Sequence, residues 1–229
     1  MNAEAPPGSD AGPFRKVARP VTLRQSVYEE LVELVVAGRL RPGQHLVQTE
    51  LARHLGVSRQ PVREALHRLH ADGWIELRPN EGAFVHVPTD QEVDELLDAR
   101  ELLEAEAARL AARKASRDQV AQRRAICREG ESAVRGGDAG RFVAVNNDFH
   151  GALAGIAGNT VLVLLAEFVA RRARWYYRLV APLRMQESCE EHTEIAEAIA
   201  AADQDRAGKV VWAHIERTRM TYPRRLAQG

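Results

Sequence analysis

Residues 48–77 constrain the fold more than any other part of the chain, because their pattern predicts two short helices joined by a sharp turn. The first predicted helix covers residues 49–55, and Gly56 after it allows the left-handed backbone that a tight turn needs. Ser58 is a favourable N-cap for the second helix. Apolar residues at i, i+3, i+4 and i+7 predict its buried face, which comprises Val62, Ala65, Leu66 and Leu69. The pattern is that of a helix-turn-helix.

Three polar residues lie off this apolar face, at the N-terminal end of the second helix: Arg59, Gln60 and Arg63. In a helix-turn-helix this end enters the major groove, where Arg offers paired donors to guanine and Gln can pair with adenine. An ordinary helical hairpin with solvated charges is the alternative, because short helix pairs are common. The next residues favour DNA binding, since 74–78 and 83–87 predict two strands around a Pro-Asn-Glu-Gly turn. The module is therefore predicted to be a winged helix.

Over residues 22–88 the module resembles the DNA-binding domain of GntR-type bacterial transcription regulators. The residues that carry the resemblance are 38–43, 50–52, 57–66 and 72–74. The resemblance implies that four residues approach DNA: Ser58, Arg59, Gln60 and Arg63. It also implies that Gly82 lies at the wing tip, near the minor groove. Thr49 departs from the family pattern, in which Arg or Ser often precedes the Glu-Leu pair, so no phosphate contact is assigned there.

The rest of the chain predicts helices only. Start and stop signals place them near residues 90–113, 117–135, 139–157, 160–180, 186–201 and 203–226, with a break expected near Pro182. We divide the chain into a flexible arm, residues 1–20, a winged helix, residues 21–88, and a helical effector-binding and dimerisation domain, residues 89–229. The predicted fold is therefore mainly α: a winged helix-turn-helix with one small β-hairpin, then an all-α antiparallel helical bundle. The bundle resembles the FCD domain of the FadR subfamily, on residues 99–104, 146–150, 157–159, 191–192 and 214–215.

Three histidines lie on or beside the apolar faces of three predicted helices: His150, His192 and His214. A single histidine in such a place is usually a hydrogen-bonded core residue. Three imidazoles together suit a transition metal such as Zn, Ni, Mn or Fe. The family resemblance implies a further oxygen ligand one turn before the first histidine, where metal-binding members carry Asp and this chain carries Asn146. We therefore predict a weakened site for Zn, Ni or Mn; a metal-free pocket in which the histidines bind an anion is the alternative.

Arg100 falls on the apolar side of the first bundle helix. A buried guanidinium needs an anionic partner, and Glu104, four residues later, is one candidate. The family resemblance favours another partner, the carboxylate of a small effector bound beside the metal. Arg100 is therefore predicted to bind the effector.

The predicted function is a ligand-responsive transcription regulator, a repressor that binds a palindromic operator as a homodimer and responds to a small organic acid. The alternatives are a metal-dependent enzyme built on the histidines and an effector-free architectural DNA binder. The formal net charge of +0 argues against non-specific wrapping of DNA. The two cysteines form no CxxC pair, and no run approaches the ~20 apolar residues needed to cross a bilayer. We expect a cytoplasmic protein with reduced thiols, no membrane contact and no catalytic residues.

Overall fold

A computed structural model describes residues 22–222 of the 229-residue chain, apart from the side chain of Leu179. The predicted flexible arm, residues 1–20, and the predicted end of the last helix, residues 223–226, lie outside the described residues. The described part comprises a winged helix followed by a helical bundle, as the sequence predicts. Within it, no helix combines the length and the apolar character that crossing a membrane would require.

The N-terminal domain contains three helices and a three-stranded antiparallel sheet. Helices α1, α2 and α3 cover Leu23–Val36, Gln48–Leu55 and Arg59–Ala71, and strands β1, β2 and β3 cover His45–Leu46, Ile75–Arg78 and Gly82–Val85. The predicted apolar face of α3 is buried, with Val62 and Leu69 fully inaccessible. Gly56 ends α2 in the left-handed conformation, with φ 65° and ψ 30°. Ser58 is the N-cap residue of α3, but its side chain makes no capping hydrogen bond.

The sheet has the order β1-β3-β2, so the predicted hairpin is joined by a third strand that the sequence analysis missed. His45 pairs with Phe84, and Leu46 pairs with Ala83. Strand β1 is only two residues long, and its partner lies almost forty residues later in the chain. No local periodicity marks so short a strand, because its stability comes from the non-local pairing.

The second domain is a bundle of five helices. Helices α4 to α8 cover Asp90–Lys114, Arg117–Arg135, Ala139–Ala157, Thr160–Ala200 and Gln204–Thr221. Capping side chains define several of their starts: Thr89 and Ser116 form complete capping boxes with Glu92 and Gln119. The bounds of α5 and α6 are the predicted ones, because the residues that cap their starts, Ser116 and Asp138, act locally.

The predicted division of residues 160–201 into two helices is wrong, because α7 continues through Pro182 to Ala200. Proline removes one helical hydrogen bond and ordinarily kinks or ends a helix. Here Pro182 and Leu183 lie on the exposed side, whereas Val180, Ala181 and Arg184 are buried against the bundle. Tertiary packing on the buried side therefore holds the helix together across the proline.

Helix α7 also contacts the winged helix. The indole rings of Trp74 and Trp175 lie 5.7 Å apart between centroids. The Arg174 guanidinium donates to the Glu33 carboxylate on α1 at 2.5 Å. A second arginine, Arg172, donates to the backbone carbonyl of Asp72, beside Trp74. One helix thus packs in the bundle and against the N-terminal domain.

Candidate DNA-binding surface and histidine site

The predicted base-reading residues lie together on an exposed surface. Ser58, Arg59, Gln60 and Arg63 are all exposed at the N-terminal end of α3. A hydrogen bond of 2.8 Å joins the Arg63 guanidinium to the Gln60 side-chain oxygen. The Gln60 amide in turn donates to Glu64 at 2.7 Å. The surface thus presents two guanidinium groups at the end of the helix that a helix-turn-helix inserts into DNA.

Gly82 lies at the start of β3, next to the turn of the predicted wing. Its φ of 109° falls in a region that side chains rarely adopt. A Cβ at this position would also lie 2.7 Å from Nε2 of His45. The wing therefore requires glycine here for its backbone conformation, and any larger residue would also displace the His45 ring.

The three predicted histidines come together inside the bundle. His150, on α6, His192, on α7, and His214, on α8, are all buried, and their ring centroids lie 5.0 to 5.3 Å apart. One ring nitrogen from each lies within 4.8 Å of those from the other two. The Nε2 atoms of all three rings are buried and find no hydrogen-bond partner among residues 22–222. Three buried imidazoles that bring one ring nitrogen each within 4.8 Å of the others, and whose Nε2 atoms lack partners, match the donor set of a transition metal.

Two buried carboxylates contact the Nδ1 side of two of these imidazoles. Glu191 accepts from Nδ1 of His214 at 2.6 Å. A Glu104 oxygen lies 2.9 Å from Nδ1 of His150, although at an angle poor for a hydrogen bond. A carboxylate beside Nδ1 favours the tautomer that carries its proton on Nδ1. The Nε2 atom is then left without a proton and is free to bind a metal. Both contacts thus direct ring nitrogens of two helices toward the centre of the site.

Glu191 is itself held by two arginines. It accepts from Arg184 and from Arg217, each at 2.5 Å. In the sequence, Glu191 stands out only as the neighbour of His192, and Glu104 only as a candidate partner for Arg100. The sequence indicates a role for these two glutamates only through their positions, within one turn of His192 and of Arg100. Their contacts with the histidines could not be predicted, because they join different helices.

Burial controls the protonation of the site. Burial lowers the pKa of His150, although the charge of Glu104 opposes the shift. The pKa values of His192 and His214 lie well below the ordinary value, first because of burial and then because neighbouring histidines and Arg100 disfavour another positive charge. All three imidazoles are therefore neutral near pH 7, which is the form that binds a metal.

The predicted oxygen donor also faces the protein interior. Asn146 is buried, and its Oδ1 has no hydrogen-bond partner within the described chain. Asp148, two residues later, is exposed on the other side of α6 and does not take its place. Asn146 therefore offers a buried amide oxygen without a partner in the described chain, and its role as a metal ligand stays a prediction.

Arg100 is buried and pairs with the candidate that the sequence offered, Glu104. Its Nε donates to the Glu104 carboxylate at 2.6 Å. Burial raises the pKa of Glu104, but the charge of Arg100, followed by the interaction with His150, outweighs this and holds it below the ordinary value. The pair uses one of the five N–H donors of the guanidinium. Arg100 is thus joined to the histidines through Glu104, and its effector contact stays a prediction.

Comparisons with known proteins agree with this architecture. Residues 23–85 match the family described as bacterial regulatory proteins, gntR family, and residues 95–217 match the FCD domain. The Nta operon transcriptional regulator of Aminobacter aminovorans is 30% identical over 184 residues, which cover 80% of this chain and 87% of that protein. The Uxu operon transcriptional regulator of Escherichia coli is 28% identical, covering 85% of this chain and 86% of its own.

Among solved structures, E. coli McbR/YncC superposes with a TM-score of 0.72 at 25% identity, over 86% of this chain and 95% of that one. A winged helix followed by such a bundle is the architecture of a DNA-binding transcription regulator. The chain belongs to the GntR family of bacterial transcription regulators, with an FCD domain as its second domain. These relatives are regulators and not enzymes, so the prediction of a regulator is confirmed over that of a metal-dependent enzyme.

Proposed function

We propose that the protein is a homodimeric, cytoplasmic repressor that binds a palindromic operator and releases it when a small organic acid binds the bundle. The observation that carries this proposal is the buried histidine cluster, whose three Nε2 atoms have no partner in the described chain. Polar atoms buried without partners are costly, so a site of this kind favours a bound group. The acid would act by binding one arrangement of the two domains better than the other.

A divalent metal, Zn, Ni or Mn, fits this site better than a directly bound anion. His150, His192 and His214 would hold it, with Asn146 as a weaker oxygen ligand. A bound metal would supply the positive charge that attracts the carboxylate of an acid. Direct anion binding is disfavoured, because Glu104 and Glu191 take the Nδ1 side of two neutral rings and leave Nε2 as an acceptor. Arg100 would contribute further guanidinium donors to the same acid.

Helix α7 provides the physical connection between this site and DNA. It carries His192 in its second half, and Trp175 and Arg174 contact the winged helix from its middle. Because α7 is one continuous 41-residue helix, whose packing holds it together across Pro182, a small tilt at His192 would move both contacts. Binding of an acid would therefore change the position of the recognition helix relative to that of the partner subunit.

Replacing Trp175 with alanine is expected to uncouple acid binding from DNA binding. The variant should bind an operator selected from random-sequence DNA nearly as the wild type does. The release by an acid found in a panel of acetate, succinate and citrate should fall from the typical five- to 150-fold range to about twofold or less. Fluorescence anisotropy with and without the acid measures both quantities. Trp212→Ala, at a half-exposed tryptophan of α8, is the matched control. A Trp175→Ala protein that responds as the wild type does would contradict the role of α7.

A second copy of the chain is the proposed partner of an apolar face on α7. Val161, Leu164, Leu165 and Phe168 follow the i, i+3, i+4, i+7 spacing, and each is between 50% and 73% exposed. Four large apolar side chains on one helix face are typical of an interaction surface. A two-fold axis lets one such face cover its copy, and a palindromic operator requires that symmetry.

The double change Leu164→Glu and Phe168→Glu is expected to weaken the dimer at least about tenfold, because two carboxylates would be buried in each half of the interface. Light scattering across micromolar concentrations measures the dissociation, and footprinting shows whether the protected site is palindromic. Leu183→Glu, at a residue 67% exposed elsewhere on α7, should leave the dimer intact. A wild-type protein that stays monomeric both free and on DNA would disprove the dimer.

A further inference from the structure

Arg123 is a buried arginine outside the histidine site. It lies on α5 with 1% of its surface exposed, and its Nη1 donates to the backbone carbonyl of Phe149 on α6 at 3.0 Å. Its Nε and Nη2 are also buried, and neither has a hydrogen-bond partner within residues 22–222. These two nitrogens form one edge of the guanidinium, the fork that donates two parallel hydrogen bonds to a carboxylate or phosphate.

The other two buried arginines of the described chain each pair with a carboxylate, whereas Arg123 does not. Arg100 pairs with Glu104 at 2.6 Å, and Arg184 pairs with Glu191 at 2.5 Å. In the described chain no carboxylate forms an ion pair with Arg123, and the thiol of Cys127 is the group whose charge opposes the lowering of its pKa. The Phe149 ring, 4.8 Å from the guanidinium carbon, offsets part of the burial cost through a cation–π contact. The two free donors and the uncompensated charge still lack an anionic partner.

The side chain remains a cation in spite of its burial. Burial lowers the pKa of Arg123 to about 10, so it is protonated at neutral pH. An unpaired cation in the interior is strongly unfavourable, and binding of an anion would relieve that cost.

A cavity beside Arg123 has room for such an anion. It lies between α5 and α6, has a volume of about 240 Å³, and is lined by Gln119, Gln122, Arg123, Ala152, Gly155 and Ile156. Since a water molecule occupies roughly 30 Å³ in the liquid, the cavity can hold several waters or one small oxyanion. The Gln119 carbonyl oxygen accepts from the backbone of Ser116, so its remaining polar group is the NH₂ donor. Gly155 lies exposed at the edge of this cavity, and a Cβ added there would meet nothing within 4 Å.

We propose that Arg123 and this cavity form a second ligand site for a small oxyanion, either a carboxylate or inorganic phosphate. The free Nε–Nη2 edge of the guanidinium is closed to solvent in the described structure, and a small rotation of the side chain would present both donors to an anion in the cavity. The site goes beyond the proposed function, because it uses none of the histidines and requires no metal. Phe149 contacts both regions, since its ring also stacks on His192 with 4.1 Å between centroids. Binding of an anion at the second site can therefore affect the histidine cluster through the Phe149 side chain.

The decisive experiment is NMR of the full chain with ¹⁵N-labelled arginine, in a chelator-containing buffer that keeps the histidine site metal-free. The Arg123 Nε–H resonance is assigned by its loss in Arg123→Met. Phosphate and acetate are titrated separately, with chloride at equal ionic strength as the reference. We expect a saturable shift of this resonance with at least one oxyanion, and the arm that responds identifies the class. No response to either oxyanion would overturn the proposal.

Melting curves provide a second readout that does not depend on the resonance assignment. The effective oxyanion should raise the wild-type Tm by roughly 2–4 °C near saturation. Arg123→Met and Gly155→Leu should abolish this rise, the first by removing the charge and the second by filling the cavity. Arg124→Met, at the exposed neighbouring arginine, should retain it. Retention of the full rise in both cavity variants would place the anion elsewhere and overturn the assignment. Because chelator is present, neither result depends on metal binding at the histidines.

Discussion

Replacing His214 with alanine is expected to abolish stoichiometric metal binding and the stabilisation that accompanies it. His214 is fully buried at the centre of the cluster, and its loss leaves only two imidazoles. A metal at about 1,000 times its Kd stabilises the folded state by about 4 kcal/mol, and this contribution would disappear. Elemental analysis and melting curves in Zn²⁺, Ni²⁺ or Mn²⁺, with and without chelator, measure both effects.

His54→Ala, at an exposed histidine of α2, is the matched control and should leave metal content and melting temperature unchanged. The same measurements on Asn146→Asp should show tighter binding, because a carboxylate is a better ligand for a divalent ion than a neutral amide. If the wild type purifies without metal, and none of the three ions moves its melting temperature, the metal proposal fails. The histidines would then be structural or anion-binding residues.

Replacing Arg59 or Arg63 with alanine is expected to weaken operator binding strongly. Loss of one base contact costs about 1–3 kcal/mol, and a dimer carries each substitution twice, so the total is roughly 2–6 kcal/mol. Binding to random DNA should weaken less, because phosphate contacts dominate it. Anisotropy titrations on operator and random DNA at one salt concentration separate the two contributions.

The structure provides a check that these substitutions act on recognition and not on folding. Both side chains are exposed at the end of α3, so the melting temperature should stay within about 1–2 °C of the wild type. Arg124→Ala, an exposed arginine of the bundle, makes the same change in net charge and should leave operator affinity nearly unaltered. Unchanged operator affinity in Arg59→Ala and Arg63→Ala would remove α3 as the recognition helix.

Part of the site could be predicted because it depends on helical periodicity. His150 lies beside the apolar face of its helix, so its burial follows once that helix packs in a bundle. The same reasoning places Asn146, one turn earlier, on the inward side, and this residue is buried. The partners of these residues could not be predicted in this way. Glu191 on α7 contacts His214 on α8. The pairing of Arg100 with Glu104, and not with another anion, depends on how the helices pack.

The sequence alone determined the features that local interactions control: the turn at Gly56, the capped starts at Thr89 and Ser116, and the buried face of α3. Each depends on residues within a few positions of one another, so the local pattern suffices. Only the tertiary structure decided the pairing of β1 with β3 and the continuity of α7 across Pro182. It likewise left Arg123 buried without a carboxylate partner. These outcomes depend on which distant surfaces meet, because burial and long-range pairing contribute free energies that outweigh local preferences.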